Sequence, residues 1–276
     1  MKVAINAIPI RPGGGLTVVL GLLRGLHEAD PRLDLSVLAS ASETLHAVRE
    51  SGCPARLLPV LDKAGATSAF VWQNRALGRL LREQHMDVLL TINHHLRHIA
   101  CHQVVYHLNL RRFVRTHRSA NPWVVLQEYI RDRAARRALQ RASANVFESR
   151  FLEEAAQNSI AGPVRNPRVI YAGIADDLIA ASDRVESRSA EGSRRIVAIT
   201  SPLPHKDNPT LVRMLADLVQ REPDAGWQLD VAGGTDLQAW EPVRALARSL
   251  GVENCITWHG FCSQHALTAL LRQSLC

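Results

Sequence analysis

Apolar residues along the chain fall into short unbroken runs that alternate with stretches of helical, 3.6-residue periodicity. The runs Val3–Ile8, Leu33–Leu38, Ala55–Pro59, Val88–Ile92, Val104–His107, Ala144–Phe147 and Val169–Tyr171 read as strands. Between them Leu16–Glu28 lines Leu16, Val19, Leu20, Leu23 and Leu26 along one helical face, and Ala69–His85 and Trp123–Ala142 carry further helical repeats. Ser149 stands where it would cap the helix RFLEEAAQ. A polar, charged stretch follows at Ser182–Ser193. The alternation then restarts with strands Ile196–Thr200, Gln228–Ala232 and Cys255–Trp258 and helices Pro209–Arg221, Ala239–Leu250 and His265–Gln273. Strand-then-helix order throughout predicts an α/β protein with parallel sheets. It divides into a first domain at 1–181, a linker at 182–193 and a second domain at 194–276, which is expected to be incomplete because the chain stops where another strand is due.

Composition narrows the classes. Hydrophobic residues make up 46% and charged residues 21%, which excludes a disordered chain. No window has the unbroken apolar length of a membrane span, and the opening MKVAINAIPIRPGGG is too short and polar-interrupted for a signal peptide. Cys53, Cys101, Cys255, Cys262 and Cys276 show no close pairing and leave one over, so a disulfide framework is not expected and a cytoplasmic location is. Charge changes the picture more. Nine arginines lie between Arg111 and Arg141 against Glu128 and Asp132, a local +7 equal to the formal charge of the whole chain. That concentration suggests an anionic partner, such as the inner membrane face or a phosphorylated acceptor. The alternative is a solvated helix face, since the alanines and leucine of RDRAARRALQR share one stripe and leave the arginines outside it. No nucleic-acid motif accompanies the charge, so nucleic acid is not an expected partner.

Two loops carry candidate chemistry. In RIVAITSPLPHKDNPTLVRML an apolar strand passes through a loop holding Ser201 and Lys206 into an amphipathic helix, aiming a cation and a helix start at one point, as phosphate sites do. The same segment would also serve as a plain strand–helix joint with a water-facing lysine. The second loop, PGGGLTVVLGLL, passes from strand to helix through Gly13, Gly14 and Gly15, which would let backbone N–H groups approach a diphosphate. It is neither a dinucleotide fingerprint nor a Walker loop. His94, His95, His98 and His102 with Cys101 supply enough zinc donors, but the segment joins two predicted strands and lacks an acid to orient the rings, so no metal site is expected.

Taken in order, the GGG loop, VVYHLN, SANVFESRFLEE, VIYAGI, TSPLPHKDN, LDVAGG and ITWHGFCSQHALTALL cover most of the chain. In this the chain resembles the retaining family 4 glycosyltransferases of the GT-B fold. The resemblance implies two Rossmann-like domains and a sugar moved with retention from a nucleotide-diphosphate donor to a glycan or lipid acceptor, as in a hexosyltransferase. By it Gly13 to Gly15 and Lys206 would approach the donor diphosphate, Gly233 and Gly234 would line the floor of the site, and Phe261 would border the base. His107 would lie near the reacting sugar, the alternative being a strand-end histidine bonded to a neighbouring loop; Asn109, two residues on, could share the acceptor side but reads more simply as a turn residue. No cofactor or metal is implied, because cations and helix dipoles take the diphosphate charge. Two departures stand out: Ser201 occupies a position where many members carry arginine, and the family's glutamate pair after the ITWHGF segment has no counterpart before Cys276. The second departure implies a truncated chain. A GT-B-like binding module without turnover, or a GT-B epimerase or phosphorylase, remains the alternative.

Overall fold

The computed structural model describes residues 1–10, 14–40, 42–60, 72–114, 121–171, 173, 194–203, 206–234, 236, 238–262 and 264–275. Two compact units divide the chain, Met1–Gly173 and Ile174–Cys276. The stretch read as a linker, Ser182–Ser193, lies outside the described residues.

In the first unit the chain runs β1 (Lys2–Asn6), α1 (Gly14–Ala29), β2 (Asp34–Ala39), α2 (Ser42–Glu50), β3 (Ala55–Pro59), α3 (Leu77–Glu83), β4 (Val88–Ile92) and β5 (His102–His107). A 3-10 turn at Leu110–Arg112 leads to α4 (Pro122–Arg141), β6 (Ala144–Phe147), α5 (Arg150–Asn158) and β7 (Pro167–Val169). All seven strands are parallel, in the order β3-β2-β1-β4-β5-β6-β7. The order reverses between β1 and β4, the switch point at which open parallel sheets hold ligands beyond their strand ends. Strands buried on both faces need apolar residues at every position, which is why they read as continuous runs. Val3 and Ile5 of β1 join Val19 and Leu23 of α1 in one core, while Ala4 joins Leu77, Leu81 and Leu89 on the other face.

The second unit runs β8 (Arg195–Ile199), α6 (Asn208–Arg221), β9 (Gln228–Ala232), α7 (Glu241–Ser249), β10 (Ile256–Gly260) and α8 (Gln264–Arg272). Its strands are parallel in the order β10-β9-β8, and Val212 and Leu215 of α6 pack with Leu229, Val231, Trp240 and Val243.

Most expected elements are within two residues of their observed bounds. The helix expected over Ala69–His85 is interrupted: residues 72–75 are helical, Ala76 is a turn, and α3 begins at Leu77. The strand expected at Val169–Tyr171 sits two residues earlier, paired to β6 from Pro167. The pattern gives no sign of α2, whose sequence SETLHAVRE is largely polar.

Gly78 explains how the loop after β4 is seated. A Cβ there would stand 2.3 Å from the carbonyl oxygen of His98, so α3 and residues 93–101 approach backbone to side. Alanine normally improves a helix by about 1 kcal/mol over glycine, but overpacking against fixed backbone costs about 1–3 kcal/mol. Gly78→Ala is therefore expected to lower the urea midpoint of the first unit, whereas propensity alone would raise it.

Candidate functional site

Each unit presents its own loops at the carboxyl ends of its strands. In the second unit three of them converge. β8 leads through Ser201 to Lys206, β9 ends on Gly233 and Gly234, and β10 ends on His259, Gly260 and Phe261. Backbone bonds tie the strand ends together: Thr200 N–H donates to Ala232 O at 2.9 Å and Gly233 N–H to Gly260 O at 2.6 Å. Gly233 has φ +116° and no room for a side chain, since a Cβ would lie 2.1 Å from Thr200 O. Gly234 has φ +72°, and its Cβ would meet Pro202 Cδ at 2.7 Å and the Trp240 indole at 2.9 Å. Both therefore act first as spacers that let the β8 and β9 loops close on one another.

The β8–α6 loop is strapped by a residue the sequence reading passed over. Asn208 is buried; its Oδ1 accepts from Thr200 Oγ1 at 2.9 Å and its Nδ2 donates to the Ser201 carbonyl at 2.8 Å. Lys206 is exposed, and its N–H donates to Leu203 O at 2.9 Å, turning the loop immediately before the helix. Asp207 precedes α6 in the left-handed conformation at φ 48°, and its carboxylate accepts from Thr210 Oγ1 without capping the helix. Lys206 thus stands two residues ahead of the start of a fourteen-residue helix, whose N-terminal end carries a partial positive charge. Ser201 is partly buried and Phe261 is exposed at the same edge.

Beneath that edge is a charged network with no precedent in the sequence pattern. Asp230, in the middle of central strand β9 and 1% exposed, accepts from His259 Nε2 at 2.6 Å and lies 3.2 Å from Arg195 Nη1. It ties β10 and β8 to β9 just before the strands open into their loops. A buried carboxylate needs such partners, and an Asp between apolar Leu229 and Val231 is the signal that could have revealed it.

In the first unit the expected residues separate. Gly13 lies outside the described residues. Gly14 and Gly15 form the first turn of α1, where a Cβ on Gly14 meets nothing and one on Gly15 meets only Ile10, so the structure imposes no requirement for glycine at either. Asn109 caps the 3-10 turn, its Oδ1 accepting from Arg111 N–H at 3.1 Å.

His107, expected near the reacting sugar, is the last residue of β5. It is fully buried, stacked on Phe147 at 4.9 Å and edge-on to Phe113 at 5.4 Å. Asn145 Nδ2 donates to the carbonyls of Leu139 and Arg165, which leaves Asn145 Oδ1 to accept from His107 Nε2–H at 2.9 Å. Nδ1 is therefore the unprotonated nitrogen. Burial first, then the neighbouring His94, lowers the pKa to about 4 against the support of Asn145. His94 and His95 are lowered to about 4 as well, chiefly by burial and further by nearby arginines. The loop that carries them has φ +63° at Asn93 and +58° at His98, and His102 opens β5, so the segment is not helical. Among the described residues no group of three or more His, Cys, Asp or Glu could hold a metal ion. At the carboxyl end of β6 Glu148, a residue the sequence reading did not single out, has its pKa raised by burial.

Comparison with solved structures aligns 99% of the chain with a glycosyltransferase from Rickettsia africae ESF-5, at 10% identity and TM-score 0.67 over 71% of that chain. WaaG, a glycosyltransferase involved in lipopolysaccharide biosynthesis, aligns over the same share at 14% identity and TM-score 0.66, covering 73% of its chain. UDP-GlcNAc 2-epimerase from Neisseria meningitidis, bound to UDP-GlcNAc, aligns at 13% identity and TM-score 0.61 over 76% of its chain. No family model and no curated protein matches the sequence. The likeness establishes the fold: two α/β units with parallel sheets, of the GT-B class.

The buried histidines make stability depend on pH. His107 is neutral when folded, and its proton affinity is higher in the unfolded chain, so acid favours unfolding. Stability from this residue is complete above about pH 6.5 and falls as pH drops towards about 4, a loss on the order of 3 kcal/mol. Urea unfolding of the first unit between pH 7 and pH 4 is expected to show this slope. His107→Gln, which carries no titrating group, is expected to make it shallower.

Proposed function

We propose that the protein transfers a sugar from a nucleotide-diphosphate donor to a glycan or lipid acceptor, with retention at the anomeric carbon and a hexose as the moved group. One observation supports this above the others: the second unit gathers Ser201, Lys206, Gly233, Gly234 and Phe261 at the carboxyl edge of one parallel sheet, beside the start of α6. The departing group in such a reaction is a nucleoside diphosphate, which gains negative charge as the anomeric carbon–oxygen bond breaks. In this reading Lys206 and the α6 terminus hold that charge, from a loop that Asn208 keeps in place. Ser201 donates a neutral hydrogen bond, weaker than a charge-assisted one. The cation and helix end supply the stabilisation for which other enzymes use a divalent metal, and no cofactor enters the reaction. Phe261 offers an aromatic face to the base.

His107 is a positioning residue in this reading. Its ring fills the space between Phe113 and Phe147 and holds the end of β5, from which Leu108 and Asn109 turn; Leu108 N–H donates to Asn93 Oδ1 at 2.8 Å. Asn93 directly follows β4, beside the switch point, so in this reading the acceptor side of the first unit rests on this pair of strand ends. The basic helix α4 turns the same unit towards an anionic acceptor or the inner membrane face.

A second reading is epimerisation of the sugar on its nucleotide, supported by the shared fold of the Neisseria meningitidis UDP-GlcNAc 2-epimerase. Product analysis separates the two. Transfer releases free nucleoside diphosphate in proportion to a glycosylated acceptor, and epimerisation leaves the nucleotide sugar intact with altered stereochemistry.

Binding tests the shared premise. UDP or a UDP-sugar is expected to raise the melting temperature of the wild-type chain, by mass action on the folded form. Lys206→Met is expected to weaken calorimetric affinity about 10- to 100-fold, the worth of a charged hydrogen bond. Unchanged affinity would remove Lys206 from the site.

A further inference from the structure

The pairing of β10 with β9 contains the one break in register among the described strands. Ile256, Thr257 and Trp258 stand in step against Leu229, Asp230 and Val231, but the next residue of β9, Ala232, partners Gly260, so His259 is an extra residue. The other seven pairings run without interruption. Bulges are rare between parallel strands, and near strand ends they re-aim the residues that follow. A shift of one residue sends every later side chain to the other side of its strand. The bulge therefore decides from which side Phe261, 64% exposed just past the strand, leaves the sheet. Gly260 completes the turn at φ +66°, a conformation that favours glycine, and its carbonyl receives Gly233 N–H at 2.6 Å.

Asp230 holds His259 in that position. The imidazole Nε2 donates to Oδ1 at 2.6 Å, and the other carboxylate oxygen lies 3.2 Å from Arg195 Nη1 on β8. The aspartate side chain is 2% exposed, whereas those of His259 and Arg195 keep 27% and 38% in solvent. Stability does not account for a charge at this place. Replacing a buried ion pair by packed apolar residues is often neutral or stabilising, and the best-attested use of such a pair is to fix register. Here the partner that the carboxylate holds is itself the register break. Valine or leucine at 230 would continue the apolar run of Leu229 and Val231. It would also leave β10 free to pair with β9 in step, with His259 against Ala232.

We propose that the Asp230–His259 pair positions the nucleoside half of the donor: it locks the bulge that presents Gly260 and Phe261 to the base, while the loop of Lys206 serves the diphosphate. Asp230 and His259 are positioning residues, since they act through Phe261 and touch no ligand themselves. The proposal rests on the reading of this edge as a nucleotide site. It divides the edge into two separately built parts, one strapped by Asn208 and the other by Asp230.

The test is a mutant cycle on the full chain, read as calorimetric affinity for the tightest binder among UDP, GDP, ADP and dTDP. The double variant Asp230→Val, His259→Val removes both charged partners together and is expected to melt at or above the wild-type temperature. It is nevertheless expected to bind the nucleotide roughly tenfold more weakly, the low end of what one aromatic contact to a base contributes. In a Phe261→Ala background the same pair of substitutions is expected to change affinity by less than about twofold, because the contact they act through is already gone. His259→Gln, whose amide can still donate to Asp230, is expected to stay within about threefold of wild type. Without ligand, amide exchange at Gly233, bonded to Gly260, is expected to quicken in the double variant, while at Thr200, bonded to Ala232, it stays as in wild type. An equal loss with and without Phe261, unchanged affinity in the double variant, a loss in His259→Gln as large as in the double variant, or a double variant that melts well below wild type would overturn the proposal. Unchanged exchange at Gly233 would overturn the lock even where nucleotide binds. A wild-type chain that binds none of the four nucleotides, with exchange at Gly233 still responding, would instead overturn the nucleotide reading of this edge, and the positioning role with it.

Discussion

A Cβ at position 233 would stand 2.1 Å from the carbonyl oxygen of Thr200, and the carboxyl edge of the second sheet depends on that space staying empty. Because it is empty, Gly233 N–H reaches Gly260 O and Thr200 N–H reaches Ala232 O, so three strand ends are pinned before their loops diverge. Asn208 then fixes the β8 loop from inside by bonding both Thr200 and Ser201. Lys206 gains its meaning from this rigidity. A lysine on a loose loop is a solvated charge, whereas one on a strapped loop ahead of a helix start would meet an anion with less reorganisation, which is what the proposed reaction asks of Lys206.

The first unit handles polarity in the opposite way. Near β5 it encloses polar groups: His107, Asn145 and the aromatic rings of Phe113 and Phe147 form a closed assembly, with one ring nitrogen satisfied and the other dry. Along α4 it leaves cations unmatched and apolar groups uncovered. Enclosed polarity stiffens the strand ends near the switch point. Exposed apolar groups and like charges in a row both raise the free energy of the helix in water.

The fold was legible because both sheets are parallel and covered on both faces, which prints each strand as an apolar run and each crossover as a helical repeat. Val3–Ile8 and Gln228–Ala232 show this directly. α2 escaped because a short helix of mostly polar residues gives little periodic signal, and the break at Ala76 escaped because apolar spacing continues across it. At the candidate site, the gathering of Lys206 with Gly233 and Gly234 could be anticipated, since strand-end loops on neighbouring strands must meet. The strap through Asn208 could not, and for Asp230 the sequence shows only a carboxylate inside an apolar strand, since its pairing with His259 depends on register between strands. The buried setting of His107 was likewise invisible: its aromatic neighbours come from positions six residues and forty residues further along the chain. The arginine excess was plain in composition.

The most direct measurement is an amide correlation spectrum of the isotope-labelled chain titrated with UDP. If the strapped loop holds a nucleotide diphosphate, the N–H signals of Thr200, Ser201, Leu203, Lys206 to Asn208, Gly233, Gly234, Gly260 and Phe261 move together and saturate at one concentration. Saturable shifts confined to other segments, or none at all, would contradict the account.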